Sequence, residues 1–493
     1  MISTVCWVPR DRLRAVPQSA GITPEQMAQA VAREQGRNNK DQEGPSEMEQ
    51  EPRSNGNGGD VKSRGGGGQR GFIDDLDLDN YDKEDEGVHM VLGATNLTVF
   101  RDNTDDPYIT VDDPDIESDE EDAVIRPTDF VLLAGHTEQE YSAAEVHVFD
   151  KAQSSIYVHH DIVLPSFPLA LEYLSDGDVK SSERKNLVAV GTFEPGIEIW
   201  DLDVVGGIEP VATLGGRNAP PPPSSSSFGS KKKRGGGGLK DSIFGKIKKG
   251  SHRMGVMSLS WNRHNRAHLA SGSADRTLKC WDLSKQKCLS TYTHHKNKVQ
   301  CVQWNPKEAF FLLSGGYDQR CACLDVRDQK STKYFQVDGE VQDVSWNPSN
   351  PAIFVASTDK GSLIFYDVRK TSSSSSSSGK GKRANASKPL CTIGAHDGEA
   401  SSVAFSCRYP HLVASASTDQ TVKLWDLSSK PVCLDRKDLN IGQIFSMSLN
   451  EEDPDILGAG GDQGKVAVWD IMTSKAVAAK YGGARGGGGG GKK

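Results

Sequence analysis

Seven short segments of the chain end in an aspartate that follows an aromatic or apolar residue: VHVFD (146–150), IEIWD (197–201), LKCWD (278–282), CACLD (321–325), LIFYD (363–367), VKLWD (422–426) and VAVWD (466–470). Each segment is rich in the apolar residues typical of a β-strand. Three of the six gaps between the closing aspartates are 43, 42 and 44 residues long. A repeat of this length is typical of one four-stranded blade of a β-propeller.

A second periodic feature supports the same repeat. Trp261, Trp304 and Trp346 stand in SLSWN, CVQWN and DVSWN, each 21 residues before a closing aspartate. Between the two features lies a segment that ends in an acidic turn, such as LASGSADRT. The unit is therefore predicted to contain an inner strand a, a strand b, the acidic turn, a strand c and a short outer strand d. Seven units predict an all-β fold with a single seven-bladed propeller.

Composition and charge limit the class of protein. The chain has 493 residues, enough for one propeller of about 300 residues with additional segments. It lacks a long apolar run and an N-terminal signal sequence, which predicts an intracellular soluble protein without a membrane role. The nine cysteines show no C-x-x-C spacing, so they are predicted to be reduced thiols without disulfide or metal roles. The net charge of −9 divides into −15 for residues 1–128 and +6 for the remainder.

Low-complexity segments explain the unequal gaps between repeats. Tracts rich in Ser, Gly, Pro and Lys occupy about residues 215–250 and 371–387. Such tracts bury too little apolar surface to order themselves, so both are predicted to be disordered loops within a propeller spanning residues 129–480. Residues 10–128 are predicted to form an acidic and largely disordered arm, and residues 481–493 a Gly-rich tail.

The first repeat is predicted to be split in the sequence. STVCWVP (3–9) resembles the a-strands of the other repeats, with Trp7 in the position of Trp261, whereas candidate strands b and c begin only at Asp129. Residues 1–9 are therefore predicted to join the first blade across the acidic arm, so that seven full blades close without an edge strand. The alternative is that Trp7 belongs to a floating tail.

Three segments of the arm differ from their surroundings. Residues 24–35 have the N-terminal signals of a short helix. HMVLGATNLTVF (89–100) and PYITV (107–111) are apolar and β-prone between acidic runs. These two segments are predicted to dock on the ring or on a partner; the alternative is that they are short apolar islands in a disordered arm.

The repeats resemble the WD-repeat family over residues 129–480, apart from the two inserts. In that family a His, a Ser or Thr, an Asp and a Trp are joined by hydrogen bonds within a blade, and buried polar groups of this kind require such partners. The matching residues form two complete sets and a third set with Leu324 in place of Trp: His252, Ser271, Asp275 and Trp281; His396, Ser415, Asp419 and Trp425; and His295, Ser314 and Asp318. The other blades lack the His.

Signatures of catalysis are missing from the sequence. It contains no G-x-S-x-G, H-E-x-x-H or P-loop motif, and the recurrence of His, Ser and Asp once per blade favours a structural role over a catalytic one. His159 and His160 are predicted to point to opposite faces of a strand and so to be unable to bind one metal ion together. The chain is therefore predicted to be no enzyme and to use no cofactor or metal.

Basic residues cluster in the first insert, at Lys231, Lys232, Lys233, Arg234, Lys246, Lys248 and Lys249. The cluster is predicted to bind an import receptor or RNA phosphates; the alternative is a solvated loop. Ser118 precedes four acidic residues, which is a pattern typical of acidophilic-kinase acceptors, and phosphorylation there would add negative charge to the arm.

Beyond the generic repeat, the order of several segments resembles the periodic tryptophan protein family, first type. They are TVCWVPR, LDLDNYDKED, LTVF followed by DPYITV, EVHVFD with YVHHDIVLPSFPLALEYL, and PGIEIWDLDVV with EPVATLG. The resemblance implies a nuclear and nucleolar scaffold in ribosome biogenesis, acting in large-subunit assembly, rRNA processing or rRNA transcription. It further implies pre-ribosomal proteins, assembly factors and pre-rRNA as partners of a monomer within a larger complex. Two alternatives are a histone-binding chromatin factor and a substrate receptor of a ubiquitin ligase.

Overall fold

A computed structural model describes residues 1–10, 12–19, 124–139, 141–175, 186–218, 245–370 and 388–482. The helix predicted at residues 24–35, the two apolar segments of the arm and the Gly-rich tail beyond residue 482 lie outside these described residues. So does the second predicted loop, residues 371–387.

Nearly all regular structure in the described residues is β-strand. The first fourteen strands in chain order are β1 (Ile2–Val8), β2 (Gln18–Ser19), β3 (Phe130–Glu138), β4 (Tyr141–Asp150), β5 (Ser155–Val163), β6 (Pro168–Leu174), β7 (Leu187–Thr192), β8 (Gly196–Asp201), β9 (Val204–Val205), β10 (Ala212–Gly215), β11 (Val256–Trp261), β12 (His268–Ser273), β13 (Leu278–Asp282) and β14 (Lys287–Tyr292).

The remaining fifteen strands continue the same pattern. They are β15 (Val299–Trp304), β16 (Phe311–Gly316), β17 (Arg320–Asp325), β18 (Asp328–Gln336), β19 (Val341–Trp346), β20 (Ile353–Thr358), β21 (Ser362–Asp367), β22 (Cys391–Gly394), β23 (Ser402–Phe405), β24 (Leu412–Ala416), β25 (Thr421–Asp426), β26 (Val432–Asp438), β27 (Ile444–Leu449), β28 (Ile456–Gly461) and β29 (Val466–Asp470).

All of these strands except β2 and β9, which pair with each other, form the seven blades of a β-propeller, which confirms the predicted fold class. From the inner strand outward, the blades are β1-β3-β4-β5, β6-β7-β8-β10, β11-β12-β13-β14, β15-β16-β17-β18, β19-β20-β21-β22, β23-β24-β25-β26 and β27-β28-β29. The inner strands of successive blades contact one another around the ring, and the inner strand of blade 1 contacts that of blade 7. The apolar core consists of clusters at the interfaces between blades.

Strand β1 lies in the first blade, where it pairs antiparallel with β3. Trp7 lies opposite Leu132, just as Trp261 lies opposite Leu269 in blade 3. The Trp7 indole Nε1–H donates to the carbonyl oxygen of Ser448 in blade 7 at 2.9 Å. The N-terminal strand therefore closes the ring through non-covalent contacts between the first and last blades.

The seventh blade differs from the predicted full set of four strands. Within the described residues its sheet has only β27, β28 and β29. After β29 the chain forms a 3₁₀ turn (Ile471–Thr473) and the short helix α1 (Lys475–Tyr481). The helix packs toward blade 6, where the Tyr481 hydroxyl donates to Asp426 at 2.7 Å. The outer edge of β29 therefore has no partner strand among the described residues.

All nine cysteines fall within the described residues and none forms a disulfide. Burial raises the pKa of Cys280 and of Cys323 to about 12. Both thiols therefore remain protonated and behave as small apolar side chains in the blade interior.

Candidate interaction face and the networks that hold it

Blade 3 contains a complete buried hydrogen-bond network. The Trp281 Nε1–H donates to Ser271 Oγ at 2.8 Å, and Ser271 Oγ lies 2.7 Å from His252 Nε2. His252 Nδ1 lies 3.2 Å from Asp275 Oδ2. A neutral imidazole that accepts from the serine and donates to the aspartate satisfies every group. The network joins the loop before strand a to strands b and c and to the turn between them.

Blade 6 repeats this arrangement. The Trp425 Nε1–H donates to Ser415 Oγ at 2.9 Å, and Ser415 Oγ lies 2.8 Å from His396 Nε2. His396 Nδ1 lies 2.9 Å from Asp419 Oδ2. Ser415 is fully buried, as Ser271 is in blade 3. A substrate therefore has no access to either hydroxyl, and the arrangement acts as a structural connection between loops.

Burial and hydrogen bonding shift the titration of these groups. Burial lowers the pKa of His252 and of His396, although their carboxylate partners oppose the shift. Burial alone would raise the pKa of Asp419, but hydrogen bonds from Thr421 and His396 lower it to about 2. A neutral histidine paired with an ionised aspartate is consequently the stable state near neutral pH.

Blade 4 completes its network in another way. His295 contacts Ser314 Oγ at 2.8 Å and Asp318 Oδ1 at 3.0 Å. Leu324 occupies the position of the tryptophan and offers no N–H group. The neighbouring His294 places its Nε2 atom 3.1 Å from Ser314 Oγ and so takes over the contact that the indole makes elsewhere. Sequence analysis missed this residue, although the pair of adjacent histidines was a visible signal.

The acidic turn between strands b and c also fixes the neighbouring loop through its backbone. In four blades the turn aspartate accepts a backbone N–H from the loop that precedes strand a. The pairs are Arg253 N to Asp275 at 2.8 Å, Lys296 N to Asp318 at 2.9 Å, Glu340 N to Asp359 at 2.8 Å and Gln443 N to Asp462 at 3.1 Å. Blades 5 and 7, which lack the histidine, therefore still hold this loop through the turn aspartate.

Blade 1 uses a different charged network. Glu145 Oε1 lies 2.6 Å from His136 Nδ1, and Glu145 Oε2 lies 3.0 Å from His147 Nε2. Burial opposes ionisation of Glu145, but hydrogen bonds and charge interactions with the two histidines lower its pKa. Nothing in the repeat pattern indicated this cluster, because strands b and c of blade 1 are longer than their equivalents.

The prediction that His159 and His160 point to opposite faces is wrong. The register of β4 against β5 shifts between Val146 and His147, and this β-bulge leaves His159 as the extra residue. The two Nδ1 atoms consequently lie 2.8 Å apart. Burial and the neighbouring His159 lower the pKa of His160 to about 4. Among the residues that the structure describes, no group of three or more potential ligands could hold a metal ion.

Polar side chains of the inner strands connect neighbouring blades. Glu172 of β6 accepts the backbone N–H of Trp261 at 2.9 Å, and Asp343 of β19 accepts the backbone N–H of Val403 at 3.0 Å. Burial raises the pKa of Glu172 to about 7 and that of Asp343 to about 6. Sequence analysis missed these connectors, because each one bonds to a residue of a different repeat.

We expect Glu172→Gln to change how stability depends on pH. The folded-state pKa of Glu172, about 7, lies above its ordinary value of 4.5. Its contribution to the stability of the folded state is therefore fully present below pH 4.5 and lost as the pH rises through about 7. Glutamine keeps the acceptor for Trp261 and does not titrate. As the pH rises from 5 to 8, the free energy of unfolding of the variant should therefore increase by about 1–3 kcal/mol relative to that of the wild type. Urea unfolding at both pH values measures this difference.

The exposed Glu138 supplies the matched control. Glu138→Gln should leave the pH dependence of the free energy of unfolding close to that of the wild type. Parallel curves for Glu172→Gln and the wild type would contradict the assignment of Glu172 as a titrating connector between blades 2 and 3.

The described ends of the first insert pair with each other. Arg217 and Ile247 form an antiparallel bridge, the Asn218 N–H donates to the Lys246 carbonyl at 2.8 Å, and the Lys248 N–H donates to the Gly216 carbonyl at 2.9 Å. Lys246, Lys248 and Lys249 are exposed at this root. The other predicted basic residues, Lys231, Lys232, Lys233 and Arg234, lie outside the described residues, as does Ser118.

Apolar side chains lie near this root. Arg217 pairs with Glu194 at 3.5 Å, and the adjacent Phe193 is 60 % exposed. The rings of Phe193 and Phe167 have centroids 5.3 Å apart. Met254, in the loop of blade 3 that follows the insert, is 54 % exposed. A group of exposed apolar side chains is typical of an interaction surface, so we regard this part of blades 2 and 3 as the candidate interaction face.

Comparison with known proteins gives the same architecture and identifies the family. The model of the WD domain, G-beta repeat, matches residues 246–282, 286–325 and 387–426. An uncharacterised WD repeat-containing protein of Schizosaccharomyces pombe is 38% identical, with 88% of this chain and 82% of that protein aligned. The chain belongs to the WD-repeat family.

Two further relatives define the type. Periodic tryptophan protein 1 homolog of Drosophila melanogaster is 28% identical, over 98% of this chain and 96% of that protein. Periodic tryptophan protein 1 of Saccharomyces cerevisiae is 29% identical, over 98% of this chain and 90% of that protein. Because these alignments include the arm and the split first blade, the chain is a WD-repeat protein of the periodic tryptophan protein 1 type. No helix among its described residues is long and apolar enough to cross a membrane.

Proposed function

We propose that this chain is a non-catalytic scaffold in ribosome biogenesis that resides in the nucleus and the nucleolus. Its proposed partners are pre-ribosomal proteins, assembly factors and pre-rRNA, in large-subunit assembly, rRNA processing or rRNA transcription. The observation that carries the proposal is the similarity to two periodic tryptophan protein 1 relatives over 98% of the chain. WD repeats alone would support only an interaction scaffold, because a propeller supplies a surface and not a chemistry.

The way the blades use their polar residues supports a scaffold role. The histidines and serines that resemble catalytic residues are buried, and their hydrogen bonds hold the loop before strand a in blades 3, 4 and 6. The turn aspartates hold the same loops through backbone N–H groups. A face whose loops are fixed in advance loses little conformational entropy when it binds, which favours stable assembly with partners.

The basic insert is the proposed contact for phosphates or for an import receptor. Residues 231–249 carry eight Lys or Arg residues and a single acid, Asp241. Its paired root fixes the loop to the ring between blades 2 and 3. Positive charge at this point attracts phosphate groups at long range, on a chain whose net charge is negative.

Deletion of residues 219–244 is expected to leave the ring folded and to reduce nuclear accumulation and RNA association. This deletion keeps the paired residues at the root and removes Lys231, Lys232, Lys233 and Arg234. RNA affinity should be measured against salt concentration, because each lost phosphate contact flattens the logarithmic slope by roughly 0.7 for single strands. Fluorescence microscopy of a tagged chain measures its location.

A matched control replaces residues 219–244 with a Ser/Gly linker of the same length that retains only the four residues 231–234. This control should recover most of the location and of the salt dependence. If the deletion variant and the wild type agree in both measurements, the insert is a passive loop and the proposed contact is wrong.

A further inference from the structure

The candidate interaction face is built from two loops that touch each other. One is the turn between β7 and β8 in blade 2, which contains Phe193; the other is the loop before β11 in blade 3, residues 252–255. A Cβ atom on Gly255 would lie 3.0 Å from the Cα atom of Phe193, so a larger residue would crowd the turn. Phe193 and Met254, the neighbour of Gly255, therefore lie on one continuous surface.

The backbone of the blade 3 loop is fixed although its side chains are exposed. The Arg253 N–H donates to the turn aspartate of the same blade at 2.8 Å. The Ser273 hydroxyl donates to the Gly255 carbonyl oxygen at 2.8 Å. Arg253 and Met254 between these anchors are both exposed. Side chains presented on a backbone that is fixed in advance lose little conformational entropy when they bind.

Apolar side chains provide the centre of this face. The ring of Phe193 packs against that of Phe167, just before β6, with centroids 5.3 Å apart and planes tilted by 45°. Phe193 nevertheless remains 60 % exposed, and Met254 remains 54 % exposed. Aromatic residues, methionine and arginine are enriched where proteins bind each other, and the flexible thioether of methionine adapts to different apolar partners. The centre of the face therefore fits apolar side chains of a protein.

Positive charge surrounds these apolar side chains. Two acidic residues lie in the described parts of the loops, and both are paired: Glu194 with Arg217 at 3.5 Å, and Asp275 with His252 at 3.2 Å. The cationic side chains of these loops and of the insert root are Arg217, Lys246, Lys248, Lys249, Arg253 and Arg276. The described residues of the face therefore carry an excess of positive charge.

The loops of blades 5–7 on the same face of the ring carry the opposite charge. Their exposed acidic residues outnumber their exposed lysines: Asp338, Asp397, Glu399 and Asp462 against Lys360 and Lys465. A negatively charged ligand is therefore attracted to blades 2 and 3 and repelled by the other half of the ring.

We propose that the candidate interaction face binds an acidic segment of a separate protein, with apolar side chains of that segment seated on Phe193 and Met254. Arg253 and the lysines at the insert root then attract its carboxylates. RNA fits less well, because bases stack on flat rings, whereas Met254 is a flexible thioether and the Phe193 ring is tilted against Phe167. This site rests on the proposed scaffold role and names the kind of partner, and none of its residues lies in the segment 219–244.

Fluorescence anisotropy with defined peptides tests the site in the full chain. The first probe is a labelled peptide in which leucine and phenylalanine stand among aspartates and glutamates. The second probe has the same charge, with serine in place of both apolar residues. We expect the first peptide to bind about tenfold more tightly than the second. Phe193→Ala and Met254→Ala should each remove most of this difference.

Charge variants separate the two halves of the ring. Arg253→Glu should weaken the binding of both peptides, and more strongly at low than at high salt. Lys465→Glu is the matched control, because it reverses one exposed charge on the acidic half of the ring. It should leave the affinity of both peptides close to that of the wild type.

Methyl NMR of the chain labelled at its methionines shows where the first peptide binds. The signal that disappears in Met254→Leu should shift when the peptide is added. The signal of Met447, which is buried in blade 7, should not. Phe193→Ala and Met254→Ala should keep the melting temperature of the wild type, because both side chains are exposed. A loss of binding in these variants then reports the surface and not the fold.

Three results would overturn the proposal. Equal affinity of the wild type for the two peptides would mean that the face attracts any polyanion. Oligouridine that shifts the Met254 signal and displaces the first peptide would assign the face to RNA. Absence of binding by both peptides would mean that no acidic segment is recognised there. Each result concerns the purified chain, so it is distinguishable from a failure of the proposed role in ribosome biogenesis, which is measured in cells.

Discussion

Replacing Trp7 by alanine is expected to lower the free energy of unfolding by about 3–5 kcal/mol. The side chain is 9 % exposed and packs against Phe130 edge to face, with ring centroids 6.5 Å apart. Its Nε1–H bonds to Ser448 across the junction between blades 1 and 7. Since no peptide bond joins these two blades directly, the loss weakens the one junction that depends on side chains and strand packing alone. Urea unfolding followed by circular dichroism measures the effect.

Phe193→Ala is the control for Trp7→Ala. Phe193 is 60 % exposed, so its truncation removes an aromatic side chain without a buried cavity and should cost less than about 1 kcal/mol. Equal losses for the two variants would mean that Trp7 does not close the ring.

Asp419→Ala should cost about 1–3 kcal/mol, because it leaves the buried His396 without its partner. The carboxylate also accepts from the backbone N–H and the hydroxyl of Thr421, at 3.0 and 2.6 Å. Its folded-state pKa of about 2 lies below its ordinary value of 3.8. The stabilisation is therefore present above pH 3.8 and lost as the pH falls through about 2.

Asp462→Ala supplies the matched comparison. Asp462 occupies the same turn in blade 7, but it is exposed, and its carboxylate accepts the backbone N–H of Gln443 at 3.1 Å. We expect its loss to lower the melting temperature less than the loss of Asp419 does. Equal melting temperatures for the two variants would contradict the role given to the blade 6 network.

The fold was predictable because each repeat has the same strand pattern and therefore predicts the same blade structure independently of the others. The strand that ends at Asp426 and the strand that ends at Asp282 have the same position in their blades, so the period alone determines the number and order of the blades. Trp7 could be assigned for the same reason, since it copies the position of Trp261.

Features that depend on contacts between repeats could not be predicted in this way. The β-bulge at His159 is set by the pairing of β4 with β5, and no residue type in that segment requires it. Glu172 was not recognised, because its partner Trp261 is 89 residues away in the chain. The open edge of β29 became visible only when the exposure of Val466 could be compared with that of its equivalents.

The most direct test of the proposed function is affinity purification of the tagged full chain, with sequencing of the bound RNA and identification of the bound proteins. The wild-type chain is expected to enrich pre-rRNA together with ribosome assembly factors, and the variant that lacks residues 219–244 should retain less RNA. Enrichment of histones, or of ubiquitin-ligase subunits, without pre-rRNA would contradict a role in ribosome biogenesis.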